Sequence, residues 1–165
     1  GSKIKSPIEF LVGLKTLVPT EFKNPKQLLY IQKLLGQTLL NPPNVAGWKG
    51  GKNWIDSNTI VLRLKLPSLL LNGAYISKVK DGQDDVQMEA KKELFKRKYG
   101  KRFKTKVNWK YFNTQFKNVK INEFQNHVLA CEVNEAAQQY LKALDKVSKQ
   151  EYCIQLMSLP EYQMC

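Results

Sequence analysis

Two tryptophans in one short stretch carry the clearest candidate binding chemistry in this sequence. Residues 41–54 read NPPNVAGWKGGKNW and contain Trp48 and Trp54 with three asparagines, three glycines and two prolines. A tryptophan ring can stack on a sugar, and an amide such as that of Asn44 can bond sugar hydroxyls. The same composition suits an ordered loop whose indole rings are buried between helices. We favour burial, and keep Trp48, Trp54 and Asn44 as candidate ligand-binding residues.

Arg63 is the fourth candidate, because it lies within an otherwise apolar run. A buried guanidinium must be paired or bonded to carbonyl groups. We name residues 41–54 the tryptophan-rich loop. In one interpretation, which we prefer, Arg63 binds carbonyls of this loop or the Asp56 carboxylate. In the other, it binds an anionic ligand such as a sulfate or a carboxylate.

Residue types that could support catalysis are few. Cys131 with His127 is the one nucleophile–base pair in sequence reach, and the two would share a helix face at positions i and i+4. The cysteines Cys131, Cys153 and Cys165 match no zinc spacing. Asp56 lacks the second carboxylate that glycoside hydrolysis needs and is better explained as a helix cap. The sequence therefore predicts no catalytic residue, no metal site and no cofactor.

The net charge of +13 favours acidic partners. A candidate basic patch comprises Lys96, Arg97, Lys98, Lys101, Arg102, Lys104 and Lys106. Its interleaved aromatic residues are typical of single-stranded nucleic-acid binders. However, Trp109, Phe112 and Phe116 recur at helical spacing, which indicates a face buried in the core. We therefore interpret the patch as a solvated surface and treat nucleic-acid binding as the weaker alternative.

The candidate residues lie on or between helices that the sequence predicts. Capping signals and apolar spacing predict helices over residues 7–18, 25–40, 57–72, 85–99, 108–118, 122–131, 132–144 and 149–157, with a final short turn at 158–161. Gly36 is predicted to let another element approach, and Pro67 to kink or divide its helix. We find no alternating strand pattern. The predicted fold is all-α: an irregular bundle of about six to eight helices with a long, ordered Pro/Gly/Trp loop.

The chain is long enough for one domain, and we expect a single helical domain over 1–165. No apolar run reaches the roughly 20 residues of a membrane span. Gly1-Ser2 is typical of a cloning scar, so we expect the chain to be a piece of a longer protein. Residues 78–120 differ in composition from the rest and are predicted to be a basic, variable insertion.

A longer motif carries a family resemblance. LGQTLLNPPNVAGWKGGKNWIDSNTIVLRL, residues 35–64, resembles the signature of a bacterial family catalogued as domain of unknown function 1800. The match covers the LGQ, PPNV, GW, GG and WI segments and Arg63. It departs at Leu40, where the family often has Phe, and at Lys49, where it often has Pro. The opening SPIEFLVGL and the closing MSLPEYQMC resemble flanking family segments, whereas we recognise no counterpart of the basic insertion.

The resemblance implies that the chain is the C-terminal portion of a helical, often exported protein whose family has no established chemistry. The implied location is periplasmic, cell-surface or secreted, and the implied partner is a sulfatase-like protein or an acidic glycan. We expect a non-catalytic binding or scaffolding role in handling extracellular polysaccharide. One alternative is that the chain is part of a hydrolase-type enzyme whose site is completed by an N-terminal region of the longer protein. Another is nucleic-acid binding through residues 96–110.

Overall fold

The structure is a computed structural model, and it describes residues 3–72, 104–144 and 146–164. These residues form seven α-helices, three short 3-10 helices and two strands. The α-helices are α1 Pro7–Leu17, α2 Lys26–Leu34, α3 Ser57–Leu71, α4 Trp109–Gln115, α5 Gln125–Val128, α6 Glu135–Lys142 and α7 Lys149–Met157. The 3-10 helices are Gly51–Trp54, Ile121–Glu123 and Pro160–Gln163, and the strands are β1 Thr20–Phe22 and β2 Thr105–Val107. The mostly helical fold that the sequence predicts is confirmed in these ranges, and the helix predicted over 85–99 lies outside the described residues.

A small antiparallel sheet makes the purely all-α prediction wrong. β1 pairs with β2 so that Glu21 faces Lys106. A backbone hydrogen bond from the Lys23 N–H to the Lys104 carbonyl, at 3.0 Å, extends the ladder. A strand of three residues is too short to show an alternating pattern, which explains why the sequence did not reveal it.

The start of α1 follows its sequence signal. The Ser6 hydroxyl accepts the Glu9 N–H at 3.2 Å, and the Glu9 carboxylate accepts the Ser6 N–H at 2.7 Å. This reciprocal pair is the predicted capping box. The Lys3 ammonium donates to the same carboxylate at 2.6 Å. The Lys3 hydrogen bond, followed by the Ser6 N–H, lowers the pKa of Glu9 to about 2.

Glu9→Gln is expected to lower the free energy of unfolding by an amount that depends on pH. The pKa of Glu9 is lower in the folded chain, at about 2, than its usual value of 4.5. Its contribution is therefore complete above pH 4.5 and is lost as the pH falls towards 2. The difference in unfolding free energy between wild type and Glu9→Gln should shrink over that window, as measured by urea titration at several pH values. A constant difference would contradict the assignment.

The later helices are shorter than predicted. Where one helix was expected over 122–131, a 3-10 helix leads into the four-residue α5, and α6 begins only after its cap, Asn134. Ser148 caps α7 by accepting the Glu151 N–H at 3.2 Å. The Glu151 carboxylate does not complete a capping box and instead accepts from Asn72 at 3.2 Å, which ties α7 to the end of α3. Thus α7 begins as predicted, but its Glu151 serves a long-range contact.

The core lies around α3 and α7, with α1 and α4 packed on it. The fully buried apolar side chains include Phe10, Leu14, Ile31, Leu66, Phe112, Phe124, Ile154, Leu156 and Met157. Pro67 lies inside α3, which continues as one helix to Leu71, so the predicted division does not occur. No helix in the described ranges is long and apolar enough to cross a membrane.

The aromatic residues after the basic patch belong to this core. The rings of Trp109 and Phe112 meet edge to face at 5.4 Å between centroids. Phe116 contacts Phe112 at 5.1 Å and Phe124 at 4.9 Å. The predicted aromatic face of α4 is therefore confirmed, because Phe112 and Phe116 are buried and both rings contact Phe124.

Candidate functional site

The tryptophan-rich loop is fixed at its base to α1 and α2. α2 ends at Leu34 rather than near Leu40, and Gly36 follows with a φ of +83°. No described heavy atom lies within 4 Å of the position that a Cβ of Gly36 would occupy, so the glycine reverses the chain rather than admitting a neighbour. The buried Gln32 side chain accepts the Leu39 N–H at 2.9 Å, and the Gln37 side chain accepts the Ile8 N–H at 3.1 Å.

The middle of the loop is shaped by its own polar groups. The Asn44 side chain accepts the Ala46 N–H at 3.0 Å, and the Asn44 carbonyl accepts the Gly47 N–H at 3.0 Å. Gly47 has a φ of +82°, which glycine adopts without strain. Near the end of the loop, the Asn53 amide donates to the Gly50 carbonyl at 2.9 Å. Asn44 and Asn53 thus satisfy backbone groups of the loop with their side chains.

The two tryptophans lie in different environments. Trp54 is buried, with 9% of its surface exposed, and its carbonyl accepts the Thr59 hydroxyl at 3.3 Å. Trp48 is only half-buried. Asp56 caps α3 as predicted, and the N–H groups of Thr59 and Asn58 that it accepts lower its pKa. The prediction that both rings face the core therefore holds for Trp54 and only partly for Trp48.

Sequence reasoning missed the most exposed part of the loop. Leu40 is 91% exposed and has a φ of +63°, which is unusual for a residue other than glycine. Val45 is fully exposed, and Leu39 is 55% exposed. We name residues 39–48 the apolar loop. The sequence signal that could have revealed this exposure is PPNV, residues 42–45. Its prolines stiffen the backbone, and its valine belongs to no helical or strand pattern.

Leu40→Gly is expected to leave the stability unchanged or to raise it by up to about 1 kcal/mol. The Leu40 side chain contributes little to packing, and glycine removes the strain of the positive φ. Its greater freedom in the unfolded chain opposes this gain. Urea denaturation followed by circular dichroism measures the difference. A loss above about 1 kcal/mol would show that the Leu40 side chain is packed rather than exposed.

Arg63 forms no hydrogen bond with the described residues of the loop. Its guanidinium is completely buried, and Nη1 donates to the Lys5 carbonyl at 3.0 Å and to Gln163 Oε1 at 3.2 Å. The preferred interpretation, in which Arg63 binds loop carbonyls or Asp56, is therefore wrong. Cζ lies 5.7 Å from the centroid of the Phe10 ring. Burial lowers the pKa of the Arg63 guanidinium to about 10, so it remains charged at neutral pH.

Most of the predicted basic patch, Lys96, Arg97, Lys98, Lys101 and Arg102, lies outside the described residues. Lys104 and Lys106 are exposed, at and beside β2. Lys106 also lines a pocket of about 480 Å³ with Lys15, Glu21 and Asn108 at the end of the sheet. A glutamate beside two surface lysines does not single out a nucleic-acid site.

Cys131 and His127 do not share a helix, because α5 ends at Val128. The Cys131 thiol donates to the Glu161 carbonyl at 3.5 Å, and the His127 ring lies 6.2 Å from that of Phe116. Cys153 is buried in the core, where burial raises the pKa of its thiol. In the described ranges no three Cys, His, Asp or Glu residues stand close enough together to hold a metal ion.

The comparison with protein families agrees with the motif in the loop. The family described as "Protein of unknown function (DUF1800)" matches residues 1–164. No curated protein and no solved structure matches the chain. Because the match covers essentially the whole sequence, including the tryptophan-rich loop, Arg63 and the closing segment, the chain belongs to the DUF1800 family.

Proposed function

We propose that the domain is a non-catalytic binding module and that the apolar loop is its contact surface for a partner protein. The observation that supports this proposal is the exposure of Leu40 and Val45 in a loop whose base is hydrogen-bonded to α1 and α2. Exposed apolar side chains held in one conformation are typical anchors for a protein partner. The positive φ of Leu40 also fits a functional position, since such strain is concentrated at binding sites.

The loop is prepared for binding before a partner arrives. Pro42 and Pro43 restrict the backbone, and the hydrogen bonds of Asn44 and Gln32 define the turns on either side. A surface that is already ordered loses little conformational entropy on binding, so more of the contact energy is retained as affinity. This preorganisation distinguishes the apolar loop from an ordinary solvated connection.

The charge around the loop indicates the chemistry of the partner. Lys49 and Lys52 are exposed next to the loop, and no acidic residue occurs between Glu21 and Asp56. A partner with an apolar centre and an acidic rim would complement this surface. A second copy of the chain would not, because each copy carries a net charge of +13 and the same lysines.

An acidic glycan is the second candidate, supported by the half-exposed ring of Trp48. The Asn44 carboxamide oxygen is already used by the Ala46 N–H, which leaves fewer polar groups for sugar hydroxyls. Export, polysaccharide handling and a sulfatase-like partner remain proposals that rest on the family resemblance. Neither the hydrolase interpretation nor nucleic-acid binding gains a specific observation from the described residues.

Site-specific photo-crosslinking in the cells that make the native protein tests the partner proposal. A photoreactive residue at position 45 should give an adduct with an acidic protein. The same residue at Tyr111, an exposed position on α4, should not. Adding Leu40→Ser to the position 45 variant should abolish the adduct while preserving the melting temperature. Equal adducts at both positions, or none at position 45, would refute the proposal.

Direct binding measurements distinguish the glycan candidate from the partner-protein proposal. Purified protein is titrated with alginate, a polyuronate, and with dextran sulfate. The partner-protein proposal expects that any binding is salt-sensitive and unaffected by Trp48→Ala. Saturable binding that Trp48→Ala abolishes and Val45→Ser leaves intact would favour the glycan instead.

A further inference from the structure

Several buried polar atoms of Arg63 and of the closing segment have no hydrogen-bond partner. They are Arg63 Nε and Nη2, Gln163 Nε2 and Tyr162 Oη, and in the described residues the one other such atom is Glu161 Oε2. The three nitrogens are donors, and the tyrosine hydroxyl can also donate. Buried donors without acceptors are rare in folded proteins and require an explanation.

The unpartnered donors of Arg63 and Gln163 lie close together. Gln163 Oε1 accepts from Arg63 Nη1 at 3.2 Å, so the Gln163 amide nitrogen lies beside the guanidinium. The Tyr162 ring packs edge to face on Phe10 at 5.7 Å, and the Arg63 guanidinium lies over the same Phe10 ring. No carboxylate in the described ranges forms an ion pair with Arg63. The cluster therefore combines a buried positive charge with an excess of donors.

The two guanidinium nitrogens without partners, Nε and Nη2, indicate which ligand the site can bind. Nε–H and one N–H of Nη2 point in parallel directions and form the fork that binds two oxygens of a carboxylate, sulfate or phosphate. We propose that Arg63 and Gln163 form a binding site for a small oxyanion. In the structure, the N-terminal segment covers this site. The oxyanion would supply the missing acceptors and the missing negative charge.

The cover is the segment Lys3–Ser6, which we name the strap. Ile4 forms an isolated antiparallel bridge with Met164, and the Lys5 N–H donates to the Gln163 carbonyl at 2.7 Å. The Lys5 carbonyl accepts from Arg63 Nη1 at 3.0 Å. The Arg63 side chain is completely buried, so an anion requires local opening to reach it, and we assign that opening to the strap. The Lys5 ammonium also donates to the Tyr162 carbonyl at 2.7 Å and lies 4.0 Å from the centroid of the Tyr162 ring. All these contacts belong to a short terminal segment, and such segments open locally at a lower free energy than global unfolding.

A disulfide across the bridge tests both the site and its cover. Partners in an antiparallel bridge have Cα atoms about 4.5–5.5 Å apart, which suits a disulfide. Ile4→Cys and Met164→Cys are combined with Cys131→Ser and Cys165→Ser to prevent wrong pairing. Isothermal titration with sodium sulfate and with sodium acetate, at constant ionic strength, is performed on the oxidised and the reduced protein. The two salts distinguish a tetrahedral oxyanion from a carboxylate.

The reduced protein is expected to bind one of the two anions at a single site, and the oxidised protein to bind it at least about tenfold more weakly. Arg63→Met should abolish binding, whereas Lys110→Met, which removes the same charge from the surface of α4, should not. Gln163→Glu should also abolish it by placing a carboxylate beside Arg63, and this variant remains informative if Arg63→Met fails to fold. Absence of saturable binding in the reduced protein, or equal binding by both redox forms, would overturn the proposal.

Discussion

Trp54→Ala is expected to reduce the free energy of unfolding by about 3–5 kcal/mol. The Trp54 ring is buried, and its removal leaves a cavity that the neighbouring backbone cannot fill without moving. The Trp54 carbonyl also accepts the Thr59 hydroxyl, so a shift at this position would disturb the capped start of α3. Urea denaturation monitored by far-ultraviolet circular dichroism measures the loss.

Trp48→Ala is the matched control, because it deletes the same side chain from the same loop. Trp48 is half-buried, and its loss should cost about 1 kcal/mol or less. A large difference between the two variants would identify Trp54 as part of the core and leave Trp48 available for contact with a ligand or partner. Losses of equal size would contradict this division of the two residues.

Local signals in the sequence predicted local structure well. The capping box at Ser6, the Asp56 cap and the Ser148 cap all lie where their sequence patterns place them. The helical spacing of Trp109, Phe112 and Phe116 correctly indicated a face turned to the core. Each of these features depends on residues a few positions apart, so their types and spacing carry the necessary information.

Long-range contacts were beyond the reach of such patterns. Arg63 bonds to the Lys5 carbonyl, 58 residues away, and to Gln163, 100 residues away. The apolar residues around Arg63 in the sequence indicated that it is buried, but they could not show which distant groups bond to it. The β1–β2 pairing is similarly non-local. The exposure of Leu40 escaped notice because an apolar residue is ordinarily assigned to the core, and only the backbone geometry reveals otherwise.

Arg63→Ala is expected to reduce the free energy of unfolding by about 3–5 kcal/mol. The substitution removes a completely buried side chain that packs over Phe10. It also leaves the Lys5 carbonyl and Gln163 Oε1 without the donor that both share. Because these two acceptors belong to the strap and to the Pro160–Gln163 helix, both segments should loosen, and hydrogen exchange should rise there before it rises in α4.

Arg63→Met separates the packing of this residue from its charge. Methionine restores much of the buried volume but supplies no donor and no charge. The guanidinium has no carboxylate partner among the described residues, so its removal relieves an uncompensated buried charge while two acceptors lose their donor. We expect a loss of about 1–2 kcal/mol, well below that of Arg63→Ala. If Arg63→Met were as destabilising as Arg63→Ala, the hydrogen bonds to Lys5 and Gln163, rather than the packing on Phe10, would dominate the contribution of Arg63.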